Sequence, residues 1–194
     1  MSISNMKQRI KIYDPVSGVW LFRNSVWAET KEQPQRCIYS QYGSACETTT
    51  KVSTYFKNRI EQTNLIEIDG LKYIAASKQG KETRDKIELT CARVRVERCS
   101  YEKDTVTKNE LNRVIHSRTE QVFFDGILAD KYISTSQNDV FNTESQIFVL
   151  MVQKCVKILL GTIVTVGNEK YEIVLRHENG IFFNEYEIKK ESDV

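Results

Sequence analysis

Residues 55–89, YFKNRIEQTNLIEIDGLKYIAASKQGKETRDKIEL, decide how this chain folds. Two short β-type runs, Leu65 to Ile68 and Leu71 to Ala75, flank Asp69-Gly70. Asp and Gly tolerate the positive φ that a two-residue turn requires, so the pair predicts a tight hairpin. On either side lie Lys51 to Lys57 and Lys86 to Val96, both rich in β-branched and aromatic residues. Together the four runs predict a four-strand meander.

Toward the N-terminus, Arg9 to Tyr13 reads as a strand with Ile10 and Ile12 on one face and Arg9, Lys11 and Tyr13 on the other. Asp14-Pro15 and Ser17-Gly18 punctuate it. Val19 to Thr30 predicts two strands about a turn at Arg23-Asn24-Ser25, with Trp20 and Trp27 filling the core. Lys31 to Thr50 fits neither the helix nor the strand period and carries Pro34, Gly43 and three large residues, Ile38, Tyr39 and Tyr42. Connections of this length inside a compact β domain are uncommon. Two readings stand: a surface loop, or an arm that docks its aromatics on a neighbouring subunit, with Ile38, Tyr39 and Tyr42 as the contacts.

Toward the C-terminus, Glu97 to Lys108 is polar and reads as a link, which divides the chain into domains at 1–98 and 99–194. Thr107-Lys108-Asn109-Glu110 has capping-box form, and Leu111, Val114 and Ile115 follow at helical spacing; a short helix is expected there, with a strand as the alternative. Val122–Leu128 reads as a strand or hairpin, and Gln146–Cys155, Thr162–Val166, Lys170–Arg176 and Ile181–Ile188 as strands, with a second long polar segment from Ala129 to Glu144. Asn179-Gly180 is another hairpin signal. Ile147 to Val152 is apolar on both faces, so that strand is expected to be buried centrally or covered by a partner.

The second half echoes the first. Lys72-Tyr73 and Lys170-Tyr171 stand 98 positions apart (171 − 73). At that offset Ile60, Leu65, Ile66 and Ile68 meet Ile158, Ile163, Val164 and Val166. Two readings stand: diverged copies of one β domain, or chance agreement between two β meanders.

Composition bounds the class. Of 194 residues, 40% are hydrophobic and 28% charged, values ordinary for a globular protein. A formal charge of +2 is too near balance to announce a nucleic-acid partner. Met1 to Arg9 is polar with no apolar run behind it, so no signal peptide is expected and synthesis in the cytoplasm is. The most apolar run, Ile147 to Leu160, is interrupted by Gln153, Lys154 and Lys157 and is shorter than the ~20 residues of a spanning helix. Five cysteines, Cys37, Cys46, Cys91, Cys99 and Cys155, are odd in number and form no C-x-x-C pair, which favours free, mostly packed thiols.

Catalytic signals are weak. His116 and His177 are the only histidines, and neither sits in a nucleophile or metal motif. No strand is followed by a phosphate-binding glycine loop. Glu67/Asp69 and Glu185/Glu187 lie at strand spacing and read as solvated faces, and His177 reads as exposed. Arg93 and Arg95 share one face, with Val94 and Val96 on the other. No catalytic, cofactor-binding or metal residue is assigned, and an enzyme is not expected.

The order Tyr55 or Phe56, Arg59-Ile60, Ile66, Asp69-Gly70 and Tyr73 resembles the C-terminal half of the head-tail joining (head-closure or stopper) proteins of long-tailed bacteriophages. Arg9-Ile10-Lys11-Ile12-Tyr13 and Val26-Trp27-Ala28-Glu29 resemble the opening strand and the Trp-containing strand of that family. The likeness spans residues 7 to 96. Tyr73-Ile74-Ala75 departs from the family's Tyr-x-Ile, which Tyr171-Glu172-Ile173 keeps. The resemblance implies a virion structural protein of the neck, a homo-oligomeric ring of sixfold or twelvefold symmetry between the portal or adaptor and the tail-completion or tail protein. Packaged DNA would lie in its lumen, and neither cofactor nor membrane is involved. The alternatives are a tail-terminator ring protein and a nucleic-acid-binding β-barrel. The expected fold is mainly β, as two small barrel or sandwich domains with long loops and at most short helices.

Overall fold

The computed structural model describes residues 6–33, 37–38, 45–46, 49–80, 86–108, 114–130, 147–177 and 180–191. These residues are almost entirely strand, apart from a 3-10 turn at Phe56–Asn58. The first half holds β1 (Gln8–Val16), β2 (Val19–Gln33), β3 (Cys37–Ile38), β4 (Ala45–Cys46), β5 (Thr49–Tyr55), β6 (Leu65–Ile68), β7 (Leu71–Gly80) and β8 (Lys86–Arg93). The second holds β9 (Arg95–Lys108), β10 (Val114–Asp130), β11 (Ile147–Gln153), β12 (Ile163–Val166), β13 (Glu169–His177) and β14 (Phe183–Lys190).

Each half closes into a six-stranded barrel, in the orders β1-β2-β5-β8-β7-β6 and β9-β10-β11-β14-β13-β12. Within each barrel this is the same path: first, second, third, sixth, fifth, fourth. The four central runs are therefore not a simple meander. β6, β7 and β8 follow one another as expected, but β5 pairs with β8, and β6 closes the barrel against β1. The hairpin at its heart is as the sequence predicts, with Asp69 at φ 50° and Gly70 at φ 79°.

The 98-residue offset holds in register. Ile66 opposes Tyr73, and Val164 opposes Tyr171; Thr30 opposes Val52, and Leu128 opposes Leu150. Even the irregularities match: β7 bulges between Ala75 and Ser77, and β13 bulges between Ile173 and Leu175. Ala75 and Ile173 are both buried in their barrels, so the small residue is accommodated. The connections 34–48 and 131–146 are likewise equivalent, each joining the second strand of its barrel to the third.

Alternation explains the interiors. Ile10, Ile12, Ile66, Ile87 and Leu89 point into the first barrel; Phe124, Leu150, Val164, Tyr186 and Ile188 point into the second. Ile60 and Ile158, buried at equivalent positions, belong to the same two cores.

Three expectations give way. Val19 to Thr30 is one strand, because Arg23 is absorbed as the extra residue of a β-bulge, with Ile12 opposing Asn24 and Tyr13 opposing Phe22. Arg23 is then held by Asp14 Oδ1 at 3.1 Å and the Asn58 carbonyl at 2.8 Å. The link expected at Glu97–Lys108 is strand β9, so the two barrels are separated only by Val94. At Thr107, Lys108, Val114 and Ile115 the strand alternative holds in place of the helix, since cross-strand pairing overrides a local capping signal; the rest of that expectation, 109–113, lies outside the described residues.

Candidate assembly surfaces

The barrels pack through a third apolar cluster. Trp20, Leu65, Ile74 and Val94 on the first meet Ile127, Ala129, Val149, Met151 and Phe183 on the second. This is why β11 is covered on both faces, as its sequence requires. At the centre, the turn Ser17-Gly18 (φ 49° and 90°) inserts against the second barrel. Gly18 donates its N–H to Gln153 Oε1 (3.0 Å), and Gln153 Nε2 donates to the Val19 carbonyl (2.9 Å). Asp125 donates its N–H to the Gly18 carbonyl (2.8 Å), and Asp125 Oδ2 accepts from the Trp20 N–H (2.9 Å). The interface is head-to-tail, using different faces of the two barrels. Ile163, the counterpart of buried Leu65, is 40% exposed, and the counterparts of Val149 and Met151 are Lys51 and Ser53.

A second surface is a projecting arm. β12 pairs with β9 only at Cys99–Tyr101, and β11 pairs with β10 only at Gly126–Asp130. Between those limits β9 and β10 pair with each other from Glu102↔Gln121 out to Lys108↔Val114. That two-stranded ribbon runs roughly 20 Å beyond the barrel at ~3.4 Å per residue. Glu102, Lys103, Asp104, Arg118, Thr119 and Glu120 at its root are exposed on both faces. The sequence concealed it, because these residues are polar enough to pass for a link.

The third surface is the outer face of β1–β2. Trp27 is 56% exposed, contrary to the expected core position, since strand alternation turns it outward beside Arg9 while Ala28 points in. Trp20 is buried as expected. Phe22 is exposed and packs edge-on to Tyr13 at 5.7 Å. Glu67 accepts hydrogen bonds from Lys11 Nζ (2.7 Å) and the Tyr13 hydroxyl (2.6 Å). The Lys11 hydrogen bond, then that from Tyr13, holds the Glu67 carboxyl below its usual range. Burial, then the bond to Glu67, pushes Tyr13 up to about 12. Arg9, Lys11, Ser25, Glu67, Asp69 and Gly70 line a cavity of about 400 Å³. Arg93 and Arg95 are exposed, with Val94 buried between them.

Of the expected contact residues, Ile38 opposes Ala45 in the β3–β4 ribbon; Tyr39 and Tyr42 lie outside the described residues. The carboxylates at 185 and 187 are not solvated: each is 6% exposed, because the outer face of β14 is covered. His177 is likewise enclosed, with Nε2 3.0 Å from Glu187 Oε1. No group of three His, Cys, Asp or Glu side chains is arranged to hold a metal among the described residues. No helix among them is long and apolar enough to cross a membrane. Comparison with family models, with curated proteins and with solved structures finds no match to this chain.

Proposed function

We propose that this chain is a ring-forming structural subunit of a bacteriophage neck, a head-closure protein seated between the portal or adaptor and the tail. The reading rests on the resemblance over residues 7 to 96, and one structural observation supports it. Two edgeless barrels form the body, and a polar two-stranded arm built from the outer parts of β9 and β10 leaves it. Barrel closure removes sheet edges from the body, so strand pairing between copies falls to the arm. Ile38, Tyr39 and Tyr42 would contribute contacts from the first connection.

Electron microscopy of lysate from a phage in which this gene is interrupted tests the reading. Tailless heads beside complete free tails are expected. Overlong or abnormal tails would assign the protein to tail termination instead, and unaltered particles would overturn the neck reading.

One observation favours a second reading, a barrel that binds single-stranded nucleic acid. Trp27 and Phe22 stand exposed on the strand face that carries Arg9 and Lys11, an alternation of stacking surface and cation suited to bases and phosphates. Salt-dependent quenching of fluorescence by an oligonucleotide, lost in Trp27→Phe, would support it.

A further inference from the structure

The arm has two unpaired edges, and the alternation of an antiparallel ladder says which groups they present. Gly167 donates its N–H to the Arg98 carbonyl at 2.9 Å, so even-numbered residues of β9 turn their backbone groups toward the β12 side. Beyond the last β12 partners, Asp104, Val106 and Lys108 therefore present N–H and C=O outward with no ladder partner among the described residues. On β10 the Asp125 N–H meets the Gly18 carbonyl on the opposite side, so odd-numbered residues face out there. Ser117, Thr119 and Gln121 form that second edge. A two-stranded ribbon alone is marginally stable in water, and open edges invite another strand.

We infer that the arms of successive copies of this chain add edge to edge, the β9 edge of one copy pairing antiparallel with the β10 edge of the next. This rests on the ring reading above and specifies how the ring closes. Each arm carries one strand outward and one back. Repetition about an axis makes every new contact antiparallel and leaves no edge once the ring shuts.

Charge selects the register. The outward residues can meet level, with Asp104 opposite Thr119 of the neighbour, or slipped by two. The level register places exposed Lys103 against the neighbouring copy's Glu120. A slip that brings Asp104 opposite Ser117 places Lys103 against Arg118, and like charges directly opposite are destabilising, whereas the opposite slip, with Asp104 opposite Gln121, sets Lys103 against Val122 and forgoes the ion pair. Level pairing also repeats between copies the register of the arm's own ladder, in which Lys103 lies opposite Glu120 and Glu120 is paired with Arg118 at 3.4 Å.

The test uses full-length chains in a Cys155→Ser background, which removes one exposed thiol. Lys103→Cys protein is mixed with Glu120→Cys protein under mild oxidation by oxidised glutathione. Thiol–disulfide exchange joins the two thiols and releases two reduced glutathiones per bridge. A covalent dimer in the mixture, and not with either variant alone, is expected. A mixture that cross-links no better than its components would overturn the inference, as would a dimer from Lys103→Cys alone. Asp104→Pro, which removes one outward N–H and no bond of the arm's own ladder, is expected to abolish the cross-link. Asp104→Ala is expected to retain it, although it too loses the bond from Thr119 Oγ1. Negative-stain images separate the two ideas. Closed rings unaffected by Asp104→Pro would sink the arm contact and keep the ring, whereas open chains of varying length would keep the arm contact and sink the ring.

Discussion

Gly18 donates its backbone N–H to Gln153 Oε1 at 3.0 Å across 135 positions of sequence, and Gln153 answers with a bond to the Val19 carbonyl. One side chain of the second barrel thereby satisfies two backbone groups of a turn from the first. A Cβ at Gly18 would lie 2.9 Å from Val156 Cγ2 and 3.3 Å from Phe124 Cβ, at a φ of 90° that L-residues rarely adopt. Gly18→Ala is therefore expected to lower stability by about 2 kcal/mol or more, from left-handed strain and crowding together. Gln153→Ala strands a buried N–H and carbonyl and should cost about 1–3 kcal/mol. Trp20, buried at this junction, reports both in urea titrations of a Trp27→Phe background. An unchanged midpoint in either variant would sink the account of the junction.

Thiol chemistry should follow burial. Cys99 is buried in the second barrel, and loss of solvation pushes its thiol up to about 12. Near neutral pH that leaves roughly a thousandfold less thiolate than an ordinary cysteine provides. Cys155 is exposed, and Cys91 is buried. Alkylation followed by peptide mass mapping is expected to label Cys155 in the folded protein, and Cys91 and Cys99 only after unfolding. Labelling of Cys99 at the rate of Cys155 would contradict this packing.

The Lys11–Glu67–Tyr13 group predicts opposite effects at the two ends of the pH scale. Glu67 has its folded pKa lowered, so its contribution is present above the unfolded value of ~4.3 and is lost as pH falls through the folded value. Tyr13 has its folded pKa raised to about 12, so its contribution is complete below ~10 and is lost as pH rises toward 12. Glu67→Gln should be less stable than the parent at pH 7, by up to ~1 kcal/mol because Lys11 is half exposed. That difference should vanish near pH 3. Denaturation midpoints at pH 3, 5, 7 and 11 check this, and a constant offset throughout would refute it.

Local chemistry made much of this fold readable. Asp69-Gly70 fixed one hairpin, alternation placed Ile10 and Ile12 inside, and the 98-residue spacing identified strands that share a register. What escaped depended on partners distant in sequence. Nothing near Trp27 says that Ala28, and not Trp27, faces the core, since both could satisfy a strand pattern. Glu185 and Glu187 look solvated until the covered outer face of β14 is known. The arm residues are polar because they project, and polarity alone does not distinguish a ribbon from a link.

The two barrels share interiors but differ on their outer faces, and this difference can be exchanged. Val149 sits in the inter-barrel cluster, and Lys51, its counterpart at the same register position, is 37% exposed and paired with Glu88 at 2.9 Å. Val149→Lys would bury an ammonium group in an apolar contact without a partner and is expected to cost about 3 kcal/mol or more. Each barrel keeps its own core, so the damage should fall on their union: Trp20 fluorescence should shift before circular dichroism is lost, whereas the parent is expected to show coincident transitions. The reciprocal Lys51→Val removes only a surface ion pair, worth ~0–1 kcal/mol, and should leave both signals coincident. Equal losses from the two substitutions would mean that the barrels do not depend on this face for their association.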